Sequence, residues 1–309
     1  MGQVQDRFAV GPMASILEVS DREFALFQSL IRREAGIYLA PSKKPMLISR
    51  LMRRVSALKL TSFGDYYQYV ICGGQEEMVR LLDAISTNET WFFRNSKHFA
   101  FVKDELSPHW NFEAQAGRRP RRVSAWSAGC SSGEEPFSLA MILLDALAGW
   151  DLSVMATDLS SRVLERAQAA TWPLDKSQDI PGPYLKRYML RGTGAQQGKM
   201  RAGPDLRRLV SFARLNLNDD FWPVEPAAPY DLIFCRNVLM YFDPDCRQRA
   251  LRRLLMRLAP GGHLFLGDAE GLNGFEGLRL VIPAVYTPND KKNGSPSERP
   301  RTAGGRDES

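Results

Sequence analysis

"RRVSAWSAGCSSGEEPFSLAMILLDAL", residues 121–147, decides the fold. An apolar run ends at Gly129, a second glycine follows at Gly133, and Glu134-Glu135-Pro136 opens a stretch with apolar residues at helical spacing. That order predicts a strand, a glycine turn and an amphipathic helix. The alternation then repeats. "LSVMATDLS" reads as a strand and "SRVLERAQAA" as a helix. "RLVSFARLNL" and "YDLIFCRNVL" read as strands, "PDCRQRALRRLLMRLAP" as a helix, "GHLFLGDAE" as a strand and "LRLVIPAVYTP" as one closing strand. Strand–helix alternation of this kind predicts an α/β doubly wound sheet with parallel strands. Its ligand crevice lies at the carboxyl ends of the strands.

Residues 178–212 interrupt that pattern. They are too long for one helix-to-strand link. "LKRYML", "RGTGAQQGK" and "MRAGPDLRRLV" read as an inserted small β-unit with a glycine-rich hairpin at Gly192 and Gly194. An edge of such a unit can bind a peptide as an added strand.

Upstream, residues 21–86 have apolar residues at helical spacing throughout and form a helical N-terminal domain. One helix stops near Gly36 and the next starts around Pro45, a residue favoured in a first turn. Lys43, Arg50, Arg53 and Arg54 gather on a face beside the apolar stripe of that second helix. Residues 87–120 are a linker and connecting helix, and residues 121–287 the α/β domain. Residues 1–20 have a weak pattern and read as loose, and residues 288–309 as a polar, disordered tail.

The chain has 309 residues, 44% of them hydrophobic and 25% charged, with a net charge of +6. This is the composition of a globular protein of two domains. No apolar run approaches the ~20 residues that a membrane span needs, so no membrane insertion is expected. The N-terminus has no apolar signal core. The four cysteines lie without metal or disulfide spacing and read as reduced thiols of a cytoplasmic protein. Three scattered histidines argue against a metal site. The mild positive charge suggests an acidic partner without specifying nucleic acid.

The turn after the first strand carries the first chemistry. Gly129 and Gly133 lack a Cβ and let a ligand approach the backbone. Glu134 and Glu135 beside them argue against a phosphate, although acids also suit a helix N-terminus. Asp158 ends the second strand, where an acid holds ribose hydroxyls; it also fits an N-cap of the next helix. The spacing from Gly129 to Asp158 exceeds the ~20 residues of the dinucleotide fingerprint, and the third glycine is missing, which argues against a nicotinamide. Asn216 has an amide that both donates and accepts, as an adenine edge requires, and it equally fits a turn. Arg236, Asn237 and Tyr241 follow the strand "YDLIFC", where site residues belong; Tyr241 alone also fits a core ring.

"STNETWFFRNSKHF" (86–99), "WSAGCSSGEEPFSLAM" (126–141), "ATDLSSRVLERA" (156–167), "NLND" (216–219), "YDLIFCRNVLMYFD" (230–243) and "LAPGGHLFLG" (258–267) together resemble the CheR-type chemotaxis receptor methyltransferases. The likeness runs over residues 20–287. It implies a Rossmann-like S-adenosylmethionine-dependent methyltransferase sheet with a small inserted β-subdomain, preceded by a small all-α domain. It implies an enzyme of the bacterial cytoplasm that methylates glutamate side chains of chemotaxis receptors to methyl esters for sensory adaptation. The cofactor would be S-adenosyl-L-methionine and its product S-adenosyl-L-homocysteine. The partner would be the cytoplasmic domain of a transmembrane chemoreceptor.

The resemblance carries cofactor contacts onto Asn88, Thr90, Arg94, Glu134 or Glu135, Asp158, Asn216-Leu217 and Arg236-Asn237, with backbone room at Gly129. Arg94 and Tyr241 would position the reactants. Trp91, Phe92 and Phe93 would wall the cleft between the domains. Lys43, Arg50, Arg53 and Arg54 would dock the receptor, and Gly192 and Gly194 would shape a hairpin that grips a receptor C-terminal peptide. Trp91, Asn95 and the turn "GDAEGL" depart from the family's pattern, and Asp268 and Glu270 in that turn receive no role. A methyltransferase for another acceptor and a non-catalytic receptor-binding homologue stay open as alternatives.

Overall fold

The structure, a computed structural model, describes residues 18–222, 229–272 and 274–289. Most of the segments expected to be loose lie outside these residues. Of the expected loose N-terminus, Val19 is buried and Ser20 caps the first helix.

Four helices open the chain. In α1 (Asp21–Ala35) the Ser20 side chain accepts from Glu23 N, and the Glu23 carboxylate accepts from Ser20 N at 2.8 Å. This reciprocal cap satisfies two donors that helix geometry leaves open. Gly36 ends α1 at φ 70°, the left-handed conformation that favours glycine. Helices α2 (Lys44–Ala57), α3 (Phe63–Cys72) and α4 (Gly74–Ile85) follow. Their apolar faces close one core around Phe27, Leu30, Leu51, Tyr66 and Leu81.

A long helix then leads to the sheet in three parts: α5 (Ser96–Phe101), a wide π-type turn (Val102–Leu106) and α6 (Ser107–Gln115). Pro108 accounts for the wide turn. It has no N–H, and its ring crowds the carbonyl four residues back. Ser107 bridges the break, with its N–H and its Oγ both donating to the Val102 carbonyl.

The α/β part runs β1 (Arg122–Ala128), α7 (Glu134–Ala146), β2 (Asp151–Asp158), α8 (Ser161–Ala169), β3 (Thr171–Pro173), α9 (Gly182–Tyr188), β4 (Met189–Arg191), β5 (Lys199–Ala202), α10 (Pro204–Leu209), β6 (Val210–Arg214), β7 (Tyr230–Cys235), α11 (Pro244–Met256), β8 (Leu258–Leu266), β9 (Leu278–Ile282) and β10 (Val285–Pro288). The main sheet has seven strands in the order β6-β2-β1-β7-β8-β10-β9. The first five are parallel, and β10 is antiparallel to both its neighbours. From β1 the chain winds outward through β2 and β6, then returns to β7 and winds the other way. A ligand crevice forms at such a reversal. Alternate residues enter two separate cores: Leu232 and Phe234 of β7 on one face, Ile233 and Cys235 on the other.

Two elements differ from the sequence expectation. The expected closing strand is a hairpin of β9 and β10, broken at Pro283 and Ala284. Ala284 has φ 61°, and proline cannot donate to a ladder. The inserted unit is a three-stranded antiparallel sheet in the order β3-β5-β4. Its first strand, β3, lies upstream of residue 178, and Val210–Phe212 belong to the main sheet. Gly192 is required in its hairpin, because a Cβ there would sit 2.0 Å from the Gln196 carbonyl oxygen.

Candidate active site

A cavity of about 1220 Å³, its open mouth included, lies at the carboxyl ends of β1, β2 and β7, with the helical domain as its outer wall. Asn88, Thr90, Arg94, Gly129, Glu135, Asp158, Asn216, Leu217, Arg236, Asn237 and Tyr241 line it, as does Lys43. Residues from six separate stretches of the sequence therefore meet at the reversal in strand order.

Glu134 is not part of the lining. It is fully buried, and its carboxylate pairs with Lys176 of the inserted unit, which also donates to the Thr90 carbonyl at 3.2 Å. Glu135, one residue on, faces the cavity. Its Oε1 accepts from Ser127 Oγ and its Oε2 from Arg236 Nε, both at 2.6 Å. Arg236 also donates to the Arg94 carbonyl at 2.6 Å and lies over the rings of Phe99 and Phe234. The pair thus ties β7 to the turn that carries Arg94. His98 packs against Arg236; burial, and then the neighbouring guanidinium, lower its pKa and favour the neutral ring.

Asp158 accepts from Ser131 N at 2.8 Å and from Ser160 N at 2.9 Å. It therefore braces the glycine turn after β1 and does not cap α8; Ser161 N instead donates to Asp83 of α4 at 3.0 Å. Burial raises the Asp158 pKa against the opposing effect of the Ser160 and Ser131 N–H groups.

Two expectations need correction, and Gly129 has a second role. A Cβ at Gly129 would lie 2.3 Å from Val238 Cγ2, so this glycine makes room for the loop after β7 as well as lining the cavity. The Asn216 amide is not free for an adenine edge. Its Nδ2 donates to the Glu34 carbonyl and to Asp219 Oδ1, both at 2.7 Å, and its Oδ1 accepts from Asn218 N. With Asn218 Nδ2 on the Arg33 carbonyl, it satisfies the open carbonyls at the end of α1. Phe92 and Phe93 do not line this cavity but enter the sheet core. Phe92 stands edge-on to Trp172 and Phe93 stacks on Tyr184. Trp91 is 39% exposed, with the Arg94 guanidinium 4.3 Å above its ring.

The basic face is divided as well. Arg50 donates to the Ile85 and Ser86 carbonyls and to Thr87 Oγ1, capping the end of α4. Arg54 holds Glu77 through Nε at 2.8 Å and Nη2 at 2.5 Å. Lys43 and Arg53 are exposed. Gly192 and Gly194 lie in the hairpin of the inserted unit, outside the cavity lining.

Sequence reasoning missed the contacts by which the segment after α1 closes the cavity's outer wall. Ile37 bridges to Phe242, Tyr38 N donates to the Tyr241 carbonyl at 2.8 Å, and Asp243 N donates to the Gly36 carbonyl at 3.1 Å. Its signal is the run "IYLA" after Gly36, apolar but without helical period. Glu270 was also missed. It is 1% exposed and accepts from Gly267 N at 2.7 Å, Asn237 N at 2.8 Å and Met240 N at 3.0 Å. This carboxylate holds Asn237 at φ 59°, in the left-handed region, and so shapes the segment that presents Tyr241.

Residues 22–86 match the all-alpha domain of CheR methyltransferases, and residues 88–284 match their SAM binding domain. The chain belongs to the CheR methyltransferase family. It is 37% identical to chemotaxis protein methyltransferase 2 of Pseudomonas aeruginosa, over 86% of this chain and 92% of that protein. It is 37% identical to the chemotaxis protein methyltransferase of Escherichia coli, over 85% of this chain and 89% of that one. A relative from Borreliella burgdorferi is 33% identical over 88% of this chain and 96% of its own.

As a CheR methyltransferase the protein uses S-adenosylmethionine, and the cavity suits that group. An apolar flank of Leu159, Leu215, Leu217 and Val238 adjoins the Asp158 carboxylate. A nucleoside presents a ring face and hydroxyls side by side in the same way. Among the described residues no helix is long and apolar enough to cross a membrane, and no cluster of His, Cys, Asp or Glu could hold a metal.

Proposed function

We propose that this protein esterifies glutamate side chains on the cytoplasmic domain of a transmembrane chemoreceptor, and that it works in the bacterial cytoplasm. One observation carries this reading: the two buried carboxylates of the cavity wall are each held by two hydrogen-bond donors. Glu135 accepts from Ser127 and Arg236, and Asp158 from two backbone N–H groups. The buried His98 ring is engaged at both nitrogens, Nδ1 with Arg236 and Nε2 with Asn95 Nδ2 and the Pro283 carbonyl. Glu89 stands at the exposed rim. The wall thus offers no buried base for an ammonium or a hydroxyl, and it suits an acceptor that is already ionised. A glutamate, with a pKa of about 4.3, is such an acceptor at neutral pH.

Bound S-adenosyl-L-methionine would supply a methyl group on a sulfonium, an electrophile that an ionised carboxylate can take without giving up a proton. The chain's own residues hold and orient. Asp158 takes the ribose hydroxyls. Asn88, Thr90 and the Glu135–Arg236 pair, with Asn237, hold the amino-acid portion. Arg94 and Tyr241 orient the two reactants, and the helical domain keeps water out of the cleft. In this reading residues 21–86 and 121–287 work as separate domains joined by 87–120. Lys43 and Arg53 meet the acidic receptor, and the edge of β4 takes a C-terminal receptor peptide as an added strand.

Radiolabelled S-adenosylmethionine and receptor-bearing membranes test the reading. A glutamate ester releases volatile methanol in mild base, whereas N-methyl and ether products keep their label. Base-labile label on a receptor is the expected result, and base-stable label would exclude a carboxylate acceptor.

A further inference from the structure

A second cavity lies beyond the wall formed by Arg94, Arg236 and Asn237, which line both cavities. It opens over the carboxyl ends of β7 and β8. We propose that it is the entry for the methyl acceptor, so that an acidic side chain on a receptor helix reaches the reacting centre from this side. The inference rests on the function proposed above and names the substrate route within it.

The argument begins with the reaction geometry. In-line displacement places the attacking oxygen and the leaving group on opposite sides of the carbon. A cofactor held in the first cavity by residues from β1 and β2 leaves the side of Arg94 and Asn237 for the acceptor. The Ile37–Phe242 bridge and the Tyr38–Tyr241 backbone bond close the cavity where the helical domain meets the segment after β7.

The chemistry of the second cavity fits a carboxylate. Arg94 and Lys97 stand in its lining against one acid, Asp268. That acid accepts from Asn95 Nδ2 at 2.7 Å, a bond that joins the turn before α5 to the loop after β8. Lys97 is exposed. Trp91 gives an exposed apolar rim, and its ring holds the Arg94 guanidinium at 4.3 Å. Phe93, Ile282 and Pro283 supply apolar surface that strips water from an entering carboxylate, which makes it a better nucleophile. Glu270 fixes both loops that frame this entry, through Gly267 N on one and Asn237 N on the other.

Ala269 is exposed and lines the second cavity but not the first. Ala269→Phe is therefore expected to leave S-adenosyl-L-homocysteine affinity unchanged by calorimetry and to lower kcat/KM for a receptor cytoplasmic fragment at least tenfold. Independently of turnover, titrating that fragment into the homocysteine-bound protein should shift tryptophan fluorescence, and the shift should disappear in Trp91→Phe. Full methylation by Ala269→Phe, or an undiminished shift in Trp91→Phe, overturns the acceptor route and leaves the receptor reading standing. Lost homocysteine affinity in Ala269→Phe would make the two cavities one cofactor site and overturns it too. A wild-type protein that labels no receptor fragment overturns the receptor reading and this inference with it.

Discussion

Arg236 Nε donates to Glu135 Oε2 at 2.6 Å, with side chains only 3% and 9% exposed. The partners lie far apart in sequence and meet because β7 runs beside β1. Each makes a further bond, to the Arg94 carbonyl and to Ser127 Oγ, so the pair joins two strands and the turn that carries Arg94.

Removing one partner leaves a buried, unmatched charge. Arg236→Met should therefore lower the unfolding free energy by about 3–5 kcal/mol in urea titrations. The double change Arg236→Met with Glu135→Met should recover much of that loss while abolishing cofactor binding. An Arg236→Met protein as stable as wild type would contradict the buried pairing.

Asp158 braces the Ser131 turn and, in the proposed function, takes the ribose hydroxyls. Asp158→Ala should weaken S-adenosyl-L-homocysteine binding by tenfold or more, since two hydroxyl contacts at ~1 kcal/mol or more each would be lost. Calorimetry reads this directly, and unchanged affinity would remove Asp158 from the site.

The basic face should split by burial. Charge reversal at Lys43 and Arg53, both exposed, should raise the KM for receptor several-fold and leave the melting temperature within about 2 °C. Arg50→Glu and Arg54→Glu should instead unfold the helical domain at lower temperature, because Arg50 caps α4 and Arg54 neutralises Glu77. Thermal scans beside steady-state kinetics distinguish the two groups.

His263 provides a pH signature away from the site. Burial, then Arg279 and His109, push its pKa down to about 4. The unfolded chain, near 6.5, binds this proton first as pH falls. Stability from the neutral ring is thus fully present above about 6.5 and is lost as pH drops toward about 4, by up to roughly 3 kcal/mol. His98, also lowered, adds in the same direction. His263 Nδ1 has no hydrogen-bond partner, so an apolar replacement breaks no bond at that atom. His263→Leu should therefore flatten the fall in urea midpoint between pH 6.5 and about 4. An unchanged slope would show that the ring is charged or solvated in the folded protein.

The local pattern of this chain determined its elements and the end of the sheet that carries the site. Helical spacing marked α1 to α4, and the glycine turn at residues 129–133 marked the strand–helix junction at the reversal. The acid at the end of β2 and the "CRN" after β7 belong to the same crevice because strand ends in a doubly wound sheet converge there. These features are legible because they follow from periodicity and from the residues that turns require, which act over a few positions.

The tertiary structure alone decided how each polar side chain is used. Glu134 and Glu135 are neighbours in sequence, yet a helix turns them about 100° apart, one toward Lys176 and the other toward Arg236. Asn216 serves the end of α1, Arg50 the end of α4, and Glu270 the loop after β7. In each case the partner is a backbone group whose own helix or strand has ended. No spacing rule reports which distant side chain will satisfy such a group, because the match depends on where two elements come to rest against each other.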